Sequence, residues 1–213
     1  MTILYHAFIF IILHLISSCG VQDLRDKTTL RNAKVKAIEI SKLKKAFKYG
    51  MVWIYVDDNN DSFSGWVKKS HSNKKLSELG YLRNGQKEGL WLSWHKNGQK
   101  AGEIEWHHDR LSGTYNLWHE NSNLHVSGQT MDGEMNGEWK EYYSSGLLQA
   151  HTLNQMGACV WKKIWLPDGE KCQKSVVNNG NGVYFEYREN AQKLKKITVL
   201  DGVATEISTT QPM

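Results

Sequence analysis

The chain has 213 residues, a formal net charge of +5, nine Trp and three Cys. Such basicity invites a nucleic-acid reading, but residues 22–48 alone hold nine Lys or Arg against three Asp or Glu. The rest of the chain is near neutral, which argues against a nucleic-acid surface, and so few cysteines make no zinc knuckle.

Residues 3–16, "ILYHAFIFIILHLI", form an apolar run. It is short for a transmembrane helix, which needs about 20 residues, and suits the core of an export signal of about 7–15 residues. No Lys or Arg precedes it, and an uncleaved anchor is the alternative. The sequence Ile16–Cys19, "ISSC", follows and resembles a bacterial lipoprotein processing site. The resemblance implies a signal over 1–18, cleavage before Cys19, lipid on that residue and a membrane as partner. The location implied is the cell envelope, at the outer membrane or the outer face of the cytoplasmic membrane.

Residues 19–50 read as a basic linker or short helix. Ile40, Leu43 and Phe47 stand at helical spacing with Gly50 as a stop, while "KVKAIEI" equally fits an alternating strand. The segment suits a solvated linker or first helix, with membrane contact as a secondary effect. Residues 51–64 read as a leading strand, "MVWIYV", and a polar loop.

From Gly65 the pattern becomes periodic. Gly65, Gly89, Gly113 and Gly137 recur every 24 residues. An aromatic follows two residues later in three copies, as Trp91, Tyr115 and Trp139. Another follows after five, as Trp94, Trp118 and Tyr142. Period at this scale takes precedence over any single-segment reading. Each unit reads as a β-hairpin with a bend such as Asn97-Gly98 inside it and a second bend between units, as at Gly85. Gly85, Gly89, Gly113 and Gly137 are expected at tight turns, where a side chain would clash. The expected fold is all-β: an elongated open antiparallel sheet of hairpin repeats over 65–202, followed by a tail over 203–213. Single hairpins are marginal alone, and neighbours laid edge to edge bury a continuous face.

These units resemble the MORN-repeat variant of the YwqK family, whose frame is Gly-x-Trp-x-x-Trp/Tyr-x-x-Asn-Gly. "EGLWLSWHKNGQK" and "NGEWKEYYSSGLLQ" carry the likeness, which departs from the frame at Ser122-Asn123 and Ser144-Ser145. The resemblance implies an elongated hairpin sheet with no shared catalytic residues. Some members are labelled antitoxins and others are membrane lipoproteins.

No nucleophile elbow or phosphate-cradling glycine run is present, so the chain reads as a non-enzyme without cofactors. His71, His95 and His119 each stand six residues after the frame glycine. At about 4.8 Å per strand a two-strand repeat sets them about 9–10 Å apart, too far to share a metal. They read as strand-end hydrogen-bonding groups. His107 and His108 are adjacent, and adjacent strand residues point to opposite faces, so no metal site is expected there either. Cys159 and Cys172 fit one disulfide in an oxidising compartment or two free thiols.

The candidate binding surface is therefore aromatic: Trp91, Trp94, Tyr115, Trp118, Trp139 and Tyr142. Alternation places Trp91 and Trp94 on opposite faces, so one row is semi-exposed unless a bulge reunites them. The function expected is that of an envelope lipoprotein whose sheet is a scaffold or a surface for a protein partner or a cell-wall polymer. An antitoxin or immunity protein and a glycan-binding wall module are the alternatives.

Overall fold

The computed structural model describes residues 23–48 and 52–209; the expected signal and Cys19 lie outside them. The first element is helix α1, Lys27–Lys36. Asp26 starts it by accepting the Thr29 N–H at 2.7 Å, and Lys34 and Lys36 complement the dipole in its last turn. The chain then leaves helical geometry at Ala37. It forms β1 (Ile38–Glu39), a 3₁₀ turn over Ile40–Lys42 and a hairpin of β2 (Lys44–Lys48) and β3 (Val52–Val56). The helix thus precedes the Ile40–Leu43–Phe47 spacing. Ile40 and Leu43 pack on Val67, Leu82 and Trp91 instead, while Phe47 remains 52% exposed beside Trp53.

The remaining chain is a run of strands: β4 (Gly65–Ser70), β5 (Leu76–Arg83), β6 (Gln86–Trp94), β7 (Lys100–His107), β8 (Arg110–Trp118), β9 (Leu124–Met131) and β10 (Glu134–Tyr142). It continues through β11 (Leu148–Gln155), β12 (Ala158–Trp165), β13 (Lys171–Asn178), β14 (Asn181–Tyr187), β15 (Lys193–Leu200) and β16 (Val203–Thr209). From β4 onward each strand pairs antiparallel with the next, and β1 adds to β4 in parallel, making a 14-stranded sheet. The sheet is elongated and not closed into a barrel.

Its two edges are made by different turns. One edge carries Asn84-Gly85, His108-Asp109, Asp132-Gly133, Met156-Gly157, Asn179-Gly180 and Asp201-Gly202, pairs in which both residues have positive φ, as type I′ turns require. The opposite edge carries turns closed by paired bonds such as Gly98 N–H to His95 O (2.9 Å) and His95 N–H to Gln99 O (2.8 Å). Only the fourth residue of each has positive φ, as at Gly98, Ser122, Gly146 and Gly169, the pattern of a type I turn with a G1 bulge. Asn97 supports this turn by accepting the Gln99 N–H at 2.9 Å. The Asn-Gly pairs at 84–85 and 97–98 therefore bend the chain by different chemistry.

Gly89, Gly113 and Gly137 are not turn residues. They stand inside β6, β8 and β10 at positive φ, +69°, +112° and +80°. Next to each, the register of the preceding strand pair shifts. Two extra residues bulge there, and glycine is retained because its left-handed backbone disfavours a side chain. At Gly113 the bulge is also filled from outside, since the Glu105 carboxylate accepts the Thr114 N–H at 2.7 Å.

Successive type I′ turns are stitched together by backbone bonds: Gly133 N–H to Leu111 O, Gly157 N–H to Met135 O and Gly180 N–H to Val160 O, all 2.8 Å. This coils the sheet, so that Cys159 N–H reaches Gly202 O at 2.9 Å and Glu189 reaches back to the Ser144 N–H at 2.7 Å. α1 and the residues flanking it pack Leu24, Ala33 and Ala37 against Leu79, Leu90 and Leu92. Cys159 and Cys172 are free thiols. Among the described residues no helix is long and apolar enough to cross a membrane.

Candidate binding groove

The two aromatic rows separate as alternation requires. Trp91 packs with Ile40, Val67 and Leu82, and Trp94 with the helix cluster on the other side. Trp91 and Trp139 are core residues, 3% and 5% exposed. Each lies flat over a strand glycine, Trp91 over Gly80 and Trp139 over Gly128, where a Cβ would meet the ring. Each also anchors its indole N–H on a backbone carbonyl, Tyr81 O at 3.2 Å and Gln129 O at 2.9 Å. Tyr115, Trp94, Trp118 and Tyr142 are half-buried. Tyr115 stacks obliquely on Trp139, with centroids 5.2 Å apart, and Lys34 and Lys100 lie over Trp94 and Trp118.

The histidine stripe is a ladder of hydrogen bonds. Nε2 of His71, His95 and His119 meets the carbonyl of Trp94, Trp118 and Tyr142 at 2.8, 2.8 and 2.9 Å. A carbonyl only accepts, so Nε2 is the protonated nitrogen. Tyr143 takes the next rung, donating its hydroxyl to Trp165 O at 2.8 Å. A parallel ladder runs from the Asn73, Asn97 and Asn121 amides to the carbonyls of Lys96, Glu120 and Ser144. These side chains hold successive hairpins together.

The concavity of the coil is occupied unevenly. Over β4–β7 it is filled by Ile40, Leu43, Tyr55 and Phe63. Over β8–β12 it opens into a groove of about 870 Å³. Its walls are Leu117, Val126, Tyr115 and Trp139 on one side and Tyr184, Val199 and Val203 on the other. Its floor carries Thr152 and Asn154, each 6% exposed, on β11. Thr152 Oγ1 and Asn154 Nδ2 have no hydrogen-bond partner among the described residues. Buried polar atoms are normally paired, and an unpaired one costs about 1–3 kcal/mol.

One charged pair lines the wall. Lys162 Nζ meets Glu141 Oε1 at 3.2 Å and lies 4.7 Å from the Tyr184 ring centroid. Burial, with the nearby Glu186 and Glu141 charges, pushes the Tyr184 hydroxyl up to about 12, so it is a neutral donor and acceptor. Burial also raises the Cys159 thiol at the groove rim, leaving it a poor nucleophile. The groove holds a largely apolar lining, neutral hydrogen-bonding groups, the Lys162–Glu141 pair and the Glu134 carboxylate, with no obvious enzymatic active site.

No motif points to Thr152 and Asn154 in "HTLNQ"; the only signal available was two polar residues on the inward side of a strand. Comparison with protein-family models and with curated proteins finds no match for this chain.

Proposed function

We propose that this protein is a non-catalytic binding scaffold of the cell envelope, and that its concave groove receives an extended segment of a partner protein. The carrying observation is the pair of unpartnered polar atoms, Thr152 Oγ1 and Asn154 Nδ2, on the floor of an otherwise apolar groove. An asparagine amide and a hydroxyl match the donor and acceptor of a peptide group, and apolar walls on either side suit alternate side chains. Burial of Trp91 and Trp139 takes these two rings out of any platform on which a wall glycan would stack.

The likeness to the MORN-variant repeat frame supports the scaffold reading. A toxin neutralised in the envelope is one form the partner takes under the same proposal. The envelope location rests on the apolar run 3–16 and the "ISSC" that follows it. Labelled palmitate is expected on the protein and absent after Cys19→Ala; an unlabelled wild type removes the tether from the proposal.

For the groove, a photo-crosslinking residue is placed at Leu117 or Tyr184, and in a control at Met131, which is 48% exposed. Crosslinks to one partner in cells are expected from the groove positions, are lost with Asn154→Leu, and do not form from Met131. Equal crosslinking from all three positions, or none from the groove, overturns the reading.

A further inference from the structure

At the type I′ edge, far from the groove floor in sequence, three metal-ligating side chains converge. Glu88 on β6 stands directly across from His107 on β7, since Gly89 pairs with Trp106 in the same register. The cross-strand pair is in contact, with His107 Nδ1 and Glu88 Oε1 3.3 Å apart. His108 is the first residue of the turn and has φ +49°. Strand alternation therefore ends at His107, and the two imidazoles share one side, with ring centroids 4.1 Å apart. The expectation that these histidines diverge fails for this reason.

The donor atoms of Glu88, His107 and His108 all lie within 4.8 Å of one another. Zinc holds such ligands at about 2.0–2.2 Å in a tetrahedron, which sets the donors about 3.3 Å apart. The His107–Glu88 separation already has that value, and His108, an exposed residue, closes the set by turning its ring. The carboxylate is held in place, because its second oxygen accepts the His108 N–H at 3.1 Å. The neighbouring Asp109 carboxylate is engaged elsewhere, on the Lys87 N–H at 2.7 Å.

We infer that Glu88, His107 and His108 form a surface site for a divalent transition metal such as zinc, with two imidazole nitrogens, one carboxylate oxygen and an open fourth position. The site differs in kind from the histidine ladder at the other edge. There each Nε2 is spent on a carbonyl, and the rings are a hairpin apart. Here two rings and a carboxylate meet in one turn, and the metal replaces the proton shared by His107 and Glu88.

The test is calorimetric titration of zinc chloride into the full-length chain in detergent, stripped beforehand with a chelator. One zinc per chain is expected. Loss of an outer-shell partner alone costs about 10–100-fold in affinity, so His107→Ala, His108→Ala and Glu88→Gln each weaken binding at least about tenfold. His151→Ala, on the distant β11, leaves it unchanged. Far-UV circular dichroism of each variant separates loss of the site from loss of the fold. A wild type that takes up no zinc overturns the site. So does a folded His107→Ala/His108→Ala variant that binds as the wild type does, since the metal then sits on groups elsewhere, such as the thiols.

Discussion

The concave face contains the same construction twice, 48 residues apart, with opposite outcomes. In both places an indole lies over a strand glycine and donates to the carbonyl of the residue after it: Trp91 over Gly80 to Tyr81, and Trp139 over Gly128 to Gln129. Over the first, the chain's own segment of Ile40, Leu43, Tyr55 and Phe63 completes an apolar cluster. Beside the second, no described residue of that segment lines the face, which opens onto Thr152 and Asn154. Identical local rules thus yield core in one half and a groove in the other. The difference lies in what the N-terminal segment covers.

The sharpest way to break the comparison is to remove each indole. Trp91→Ala is expected to cost about 3–5 kcal/mol, the range for a fully enclosed aromatic whose cavity cannot collapse. Trp139→Ala is expected to cost less, because the groove already borders its ring and neighbours can move into the space. Urea denaturation of both variants measures the difference. Equal losses would mean that the second half is packed as tightly as the first.

Much of this architecture was legible in the sequence because it is periodic. Gly89, Gly113 and Gly137 announced the repeat, and alternation placed Trp91 and Trp94 on opposite faces. The role of those glycines was not legible, since a left-handed residue is needed equally in a turn and in a strand bulge. The covering segment is ambiguous in sequence for a related reason. Ile40 and Leu43 are spaced as on a helix, yet they reach one cluster from a 3₁₀ turn and the extended chain that follows it. The groove left no local trace, because it arises from how far the sheet coils. His107 and His108 diverge only if both lie in a strand, and the length of the turn decides that.

Hydrogen bonding at the G1-bulge edge gives a smaller effect that both halves share. Tyr143 is 2% exposed and replaces the histidine of the earlier rungs, donating to Trp165 O. Tyr143→Phe keeps the ring and removes the bond, with an expected loss of about 1 kcal/mol. Urea denaturation of this variant checks the value, and an unchanged stability would contradict it.

The groove floor predicts a change of opposite sign. Thr152→Val with Asn154→Leu removes two buried polar atoms that lack partners among the described residues, and should stabilise the free protein by about 1 kcal/mol or more while abolishing groove crosslinking. A destabilised double variant would show that these atoms are hydrogen-bonded by water in the free protein. In that case the floor is no more poised for a ligand than the filled half.

The smallest effect belongs to the charged group within the filled half. Glu78 has a side chain 20% exposed, bridged by Lys69 at 2.5 Å and Lys87 at 2.9 Å. Burial opposes its ionisation, but the two ammonium groups outweigh burial and hold the carboxyl below its ordinary range. A carboxyl with a lowered folded-state pKa stabilises the fold above its unfolded value, about 4.3, and that contribution fades as pH falls through the folded value. Partly exposed pairs of this kind contribute about 0.2–1 kcal/mol. Glu78→Gln should therefore lower stability by no more than that at neutral pH and flatten the acid limb of the stability profile below about pH 4. If the variant loses stability on acidification as steeply as the wild type, the acid sensitivity lies outside the filled half.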